Sequence, residues 1–77
     1  MTFPNLVGEM AKRGISSADL AKAINKTTGT FSAKLNGKYE FTLIEAFKVK
    51  QRLQTPLSID DLFSKELRND YSYSERR

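Results

Sequence analysis

Up to Phe63, apolar residues recur three and four positions apart, and each such run is bracketed by residues that start or stop helices. Phe3, Leu6, Val7 and Met10 set the first run and predict a helix over residues 4 to 13. Pro4 suits its first turn, where a missing N–H costs nothing, and Gly14 follows Lys12 and Arg13 as a stop. Ser16, with Asp19 three residues on, is a capping-box signature ahead of Leu20, Ala21 and Ile24. That run ends at Asn25, which tolerates a left-handed backbone better than most residues. Thr27 then caps a third helix with Phe31 and Leu35 on its inner face, and Asn36-Gly37 closes it.

Lys38 to Phe41 form a connection. Thr42 and Glu45 make a second capping box, opening a helix that carries Leu43, Ala46, Phe47, Val49 and Leu53 and stops before Pro56. Ser58 with Asp61 repeats the start signal for a short helix containing Ile59, Leu62 and Phe63. Nothing alternates with period two for long enough to predict a strand. The pattern therefore predicts an all-α, compact five-helix domain over residues 1–63, followed by a polar tail, 64–77. In that tail Leu67 and Tyr71 stand at i and i+4, which leaves an extended or docked last helix open beside fraying. Phe31, Leu35, Phe47 and Phe63 are expected in the core, with Tyr39 packed in its loop.

The chain has 77 residues, enough for one domain. A domain of this size buries only about 60% of its unfolded surface, so its stability should be marginal. It contains no cysteine and no histidine. Disulfides, thiolate or imidazole metal sites and the usual nucleophile–base pairs are thereby excluded. Neither a catalytic set nor a cofactor or metal site is expected, because helix-start electrostatics accounts for Asp60-Asp61. The apolar runs are too short to cross a bilayer, and the first residues lack the features of a signal peptide. Small secreted domains usually need disulfide staples, so a reducing compartment, the cytoplasm, is expected.

Charge adds direction. The net charge is +4, and its distribution is uneven. No acid lies between Asp19 and Glu40, whereas Lys22, Lys26, Lys34 and Lys38 all do. A localised positive region of this kind suits a polyanion. It coincides with the two short helices Ser16–Ile24 and Thr27–Leu35, whose connecting turn is too tight for antiparallel packing. That spacing predicts a helix-turn-helix, with Ala21 small where the helices approach and the N-terminal end of the second helix facing outward.

The run from Ile15 to Asn25, ISSADLAKAIN, followed by Thr27 to Lys38, TTGTFSAKLNGK, resembles the Cro and phage-repressor (XRE-type, lambda-repressor-like) helix-turn-helix family. The resemblance extends over residues 4 to 63 and carries the spacing of Leu20, Ala21, Ile24, Phe31 and Asn36-Gly37. It implies a small transcriptional regulator, similar to those of phages and mobile elements, that binds double-stranded DNA with its third helix in the major groove. A homodimer on DNA is implied as well, with helix five and the tail (Ile59, Leu67, Tyr71) as candidate contacts, but neither a membrane nor a small-molecule substrate.

By position, Thr28, Gly29, Ser32 and Ala33 would face bases. Ser17, Lys26, Thr27, Lys34, Asn36 and Lys38 would hold phosphates. Two departures stand out: Asn25 replaces the family's common turn glycine, and Lys26 replaces an apolar residue. None of the base-facing positions carries Arg, Gln or Asn, the residues that make bidentate base contacts. Specificity would then draw on hydroxyls, a thymine-methyl contact, water and DNA shape. A different reading keeps the fold but makes it a protein-interaction module, antitoxin-like or anti-repressor-like. Another makes it a sequence-indifferent architectural protein.

Overall fold

Helix caps fix where each element begins. In the computed structural model, which describes residues 3–65, the helices are α1 (Pro4–Arg13), α2 (Ser17–Ala23), α3 (Thr28–Leu35), α4 (Leu43–Leu53) and α5 (Ile59–Leu62). The chain is all-α, with no strand among the described residues. Readings that involve Leu67 and Tyr71 lie outside those residues.

Both capping boxes form. The Ser16 N–H donates to Asp19 Oδ2 at 2.9 Å, and the Asp19 N–H returns to Ser16 Oγ at 3.2 Å. Thr42 and Glu45 repeat the exchange at 3.0 and 3.1 Å. Thr27 and Ser58 accept from the N–H three residues on. At the other ends Gly14 and Asn25 take left-handed backbones, with φ of 65° and 60°. Gln54 does the same after α4, at φ 55°, without a glycine's freedom to do so cheaply.

The buried stripes of the helices meet in one core: Leu6 and Met10 of α1, Leu20 and Ala21 of α2, Phe31 of α3, Val49 and Leu53 of α4, and Leu62 of α5. Phe41, in the connection before α4, completes it. Its ring meets Phe63 at 5.0 Å and both Phe3 and Phe31 at 5.7 Å, each edge to face. Aromatic pairs in this arrangement contribute roughly 0.5–1.5 kcal/mol beyond their buried area. Phe41 thus clamps α1, α3 and the end of α5 together.

Two sequence expectations are corrected. Phe47 is not in the core but 54% exposed. The inward stripe of α4 is Ala46, Val49 and Leu53, and the helical pitch carries Phe47 well away from it, beside the exposed Leu43 and Ile44. Tyr39 is not packed in its loop either, being 57% exposed.

Polar ties fix the helix ends. The Asn5 side chain donates to the Asp61 carbonyl at 2.9 Å, linking α1 to α5. Lys50 Nζ donates to the carbonyls of Thr55 and Leu57 at 2.9 and 2.7 Å, holding the turn between α4 and α5. Glu9, nearly buried, takes Arg13 at 2.9 Å and Lys12 at 3.3 Å. Burial pushes its carboxyl up, but Thr55, Arg13 and Lys12 outweigh this and hold it below its ordinary value.

Candidate nucleic-acid interface

α2 packs most extensively on α3, with Ala21 buried between the core and the turn. The turn is made by local hydrogen bonds: the Asn25 N–H donates to the Lys22 carbonyl and the Lys26 N–H to the Ala21 carbonyl, at 3.1 and 2.9 Å. Asn25, in its left-handed conformation, reverses the chain so that α3 can start at once. Its tolerance of that backbone is what replaces a turn glycine here.

The leading end of α3 faces solvent. Thr27, Thr28 and Gly29 are all exposed. The Thr27 hydroxyl accepts from the Thr30 N–H at 3.1 Å and donates to Thr30 Oγ1 at 3.0 Å, and the Thr27 carbonyl accepts from Phe31. The amides of Thr28 and Gly29 come before the first intrahelical hydrogen bond, so they point off the helix end where its dipole is positive. A side chain at Gly29 would meet nothing within 4 Å, so the fold itself does not require glycine there. Ser32 and Ala33, one turn further in, are half-buried.

Lys26, in the turn directly before this end, is exposed, as is Lys22 in the last turn of α2, and Ser17 at the start of α2 is half-buried. Lys26 also lies close enough to Glu45 for its charge to help lower that carboxyl. At the far end of α3, Asn36 and Lys38 are exposed, and Asn36 is the helix C-cap. Asp19 lies on α2, in its first turn. The N–H and hydroxyl of Ser16, with Arg52 and Lys22 nearby, hold its carboxyl below its ordinary value, so it is satisfied within its own cap.

Lys34 does not join these residues, and its assignment as a phosphate contact is corrected. It is 9% exposed, and its ammonium sits 3.0 Å from Glu45 Oε1 and 3.0 Å from the Glu40 carbonyl. The same Glu45 oxygen accepts from the Thr42 N–H. Burial pushes the Glu45 carboxyl up. The Thr42 N–H, Lys34 and Lys26 together outweigh that and hold it below its ordinary value. Lys34 is therefore a pin between α3 and the start of α4. Its partner, Glu45, was legible in the sequence only as a capping residue. Of the four lysines in the acid-free stretch, Lys22, Lys26 and Lys38 remain exposed.

The surface offers backbone donors, hydroxyls and ammonium groups. Such groups can bind an anion. Among the described residues no group of His, Cys, Asp or Glu is placed to hold a metal ion, and no helix is long and apolar enough to cross a membrane. No protein-family model, curated protein or solved structure matches the chain.

Proposed function

We propose that this protein is a small transcriptional regulator that binds specific duplex DNA, laying the leading end of α3 in the major groove. The observation that carries the reading is the exposed Thr27–Gly29 end, which joins free amides and a positive dipole to the exposed Lys26 of the turn before it. Thr28 and Gly29 face base edges, with Ser32 and Ala33 beside them. Ser17, Lys26, Asn36 and Lys38 hold phosphates. The Thr27 hydroxyl is engaged in capping, so Thr27 would contribute through its backbone. Binding works by occupancy in the cytoplasm, and a pair of molecules reads two half-sites about one helical turn apart, roughly 34 Å.

The test is selection of bound duplexes from a random pool, followed by competition of the winner against random duplex. A recovered palindrome that outcompetes random DNA at least a hundredfold is the expected result. Equal competition would point instead to an architectural protein, and no retained duplex would end the DNA reading. Each exposed cation that neutralises a phosphate contributes about −0.9 to the slope of log affinity against log salt. Lys26 and Lys38 therefore set a slope of about −2 per protomer.

A further inference from the structure

Among the described residues, the large apolar side chains left exposed gather on α4 and just before it. Leu43 and Ile44 are 66% exposed, Phe47 is 54% exposed, and Tyr39, just before the helix, is 57% exposed. Leu43 and Phe47 stand at i and i+4, and Ile44 and Phe47 at i and i+3, so the three side chains adjoin on one face. Tyr39 and Leu43 both line a groove of about 430 Å³, which continues the face towards Phe41 and Ala46. With aromatic side chains worth roughly 150–250 Å² each, the four residues leave on the order of 400 Å² of adjoining apolar surface. Single exposed apolar residues are ordinary; a contiguous patch of this size falls in the range where the largest patch of a small protein is often functional.

We infer that this face is where two copies of the chain pair, through α4 crossed against α4 about a twofold axis. Three features select a second copy. The area is about half of the roughly 800 Å² per partner that a standard interface buries, the right share for an apolar core inside a polar rim. The shape complements itself: the Leu43–Phe47 ridge is flanked by the groove lined by Tyr39 and Phe41 and by a more open one lined by Phe47, Lys50, Gln51 and Gln54. Ridges of one helix seat in the grooves of its mate in such packings. The rim also carries both signs, with Glu40 exposed ahead of the helix and Lys48 exposed a turn beyond its start. A twofold that runs the helices antiparallel sets the acidic end of one copy against the basic side of the other. A surface built for an oppositely charged partner would carry one sign.

This pairing locates the twofold contact left open above, on α4 and not on α5. It is measured without DNA, so it can fail while the operator reading stands, and the reverse. The experiment is sedimentation equilibrium of the full chain from micromolar to millimolar protein, with circular dichroism to confirm unchanged helix content. A reversible monomer–dimer equilibrium is expected. Phe47→Ser should raise the dissociation constant about 30-fold or more, because the residue contributes twice per dimer. Lys22→Ala should leave it unchanged. Glu40→Lys and Lys48→Glu should each weaken pairing, and the double exchange should restore it. A monomer at every concentration would overturn the proposal, as would a dimer indifferent to Phe47. A monomeric wild type that loses thermal stability on Phe47→Ser would also overturn it, in favour of cover from within the chain or a different partner.

Discussion

Replacing Lys34 by methionine separates a structural lysine from a DNA-binding one. The substitution keeps the length of the side chain and removes the ammonium that bridges Glu45 and the Glu40 carbonyl. Removing one member of a buried pair typically costs about 3–5 kcal/mol, because the other charge is left uncompensated. Glu45 keeps its hydrogen bond from Thr42 and the charge of Lys26, so the loss here should be nearer 2–3 kcal/mol, an order-of-magnitude figure.

A domain of this length is expected to have only about 4–12 kcal/mol in total, and each kcal/mol moves the melting point by about 4–8 °C. Urea denaturation and a thermal melt at neutral pH should therefore show a drop of about 10–20 °C. The pH dependence gives a second, independent reading. Because the folded Glu45 carboxyl lies below its unfolded value, its contribution is present above the unfolded value and lost as pH falls through the folded one. The gap between Lys34→Met and wild type should therefore be widest near neutrality and should close or reverse in acid, where protonation of Glu45 breaks the pair in the wild type as well. The salt slope of DNA binding should not change. Unchanged stability combined with a slope reduced by about one would refute the reasoning and return Lys34 to the phosphates.

Other substitutions probe the remaining assignments. Lys26→Ala and Lys38→Ala should each flatten the salt slope by about one while changing stability by less than about 0.5 kcal/mol, read from DNA titrations at several salt concentrations and from urea curves. Gly29→Ala should leave the fold intact or stabilise it by up to about 1 kcal/mol, since nothing lies within reach of the added methyl. The same change should weaken DNA binding at least tenfold where the backbone approaches a base, and equal binding would remove Gly29 from the interface. Gln54→Gly should stabilise the domain by roughly 1 kcal/mol by relieving the left-handed backbone at φ 55°. An unchanged or lower denaturation midpoint would count against that account.

The helix frame was legible because its punctuation is local. Ser16 with Asp19, Thr42 with Glu45, and the stops at Gly14 and Asn25 act within a few residues, so short-range sequence determines them. Facing was harder to read. α4 carries apolar residues around most of its circumference, and only packing against α1, α2 and α5 selects Ala46, Val49 and Leu53 over Leu43 and Phe47. Phe41 sits outside every periodic run, so its place at the centre of the aromatic cluster had no local signal. Lys34 follows Phe31 by three positions, which puts the two on one face of α3. A lysine in a basic stretch nevertheless reads as solvent-facing until a buried carboxylate is found opposite it. Glu45 was that carboxylate, and its capping role already explained its presence.

The grip on α3 is uneven along its length. Phe31 is wholly buried and Lys34 is tied to α4, whereas Thr28 and Gly29 touch little of the protein. The rear of the helix is thus committed to architecture and its tip is not. Side chains at the tip can be exchanged, including for arginine or glutamine, without reopening the question of whether the domain folds. A scaffold divided in this way can be given a new address by rewriting two or three positions, and the short chain need not re-establish its stability each time.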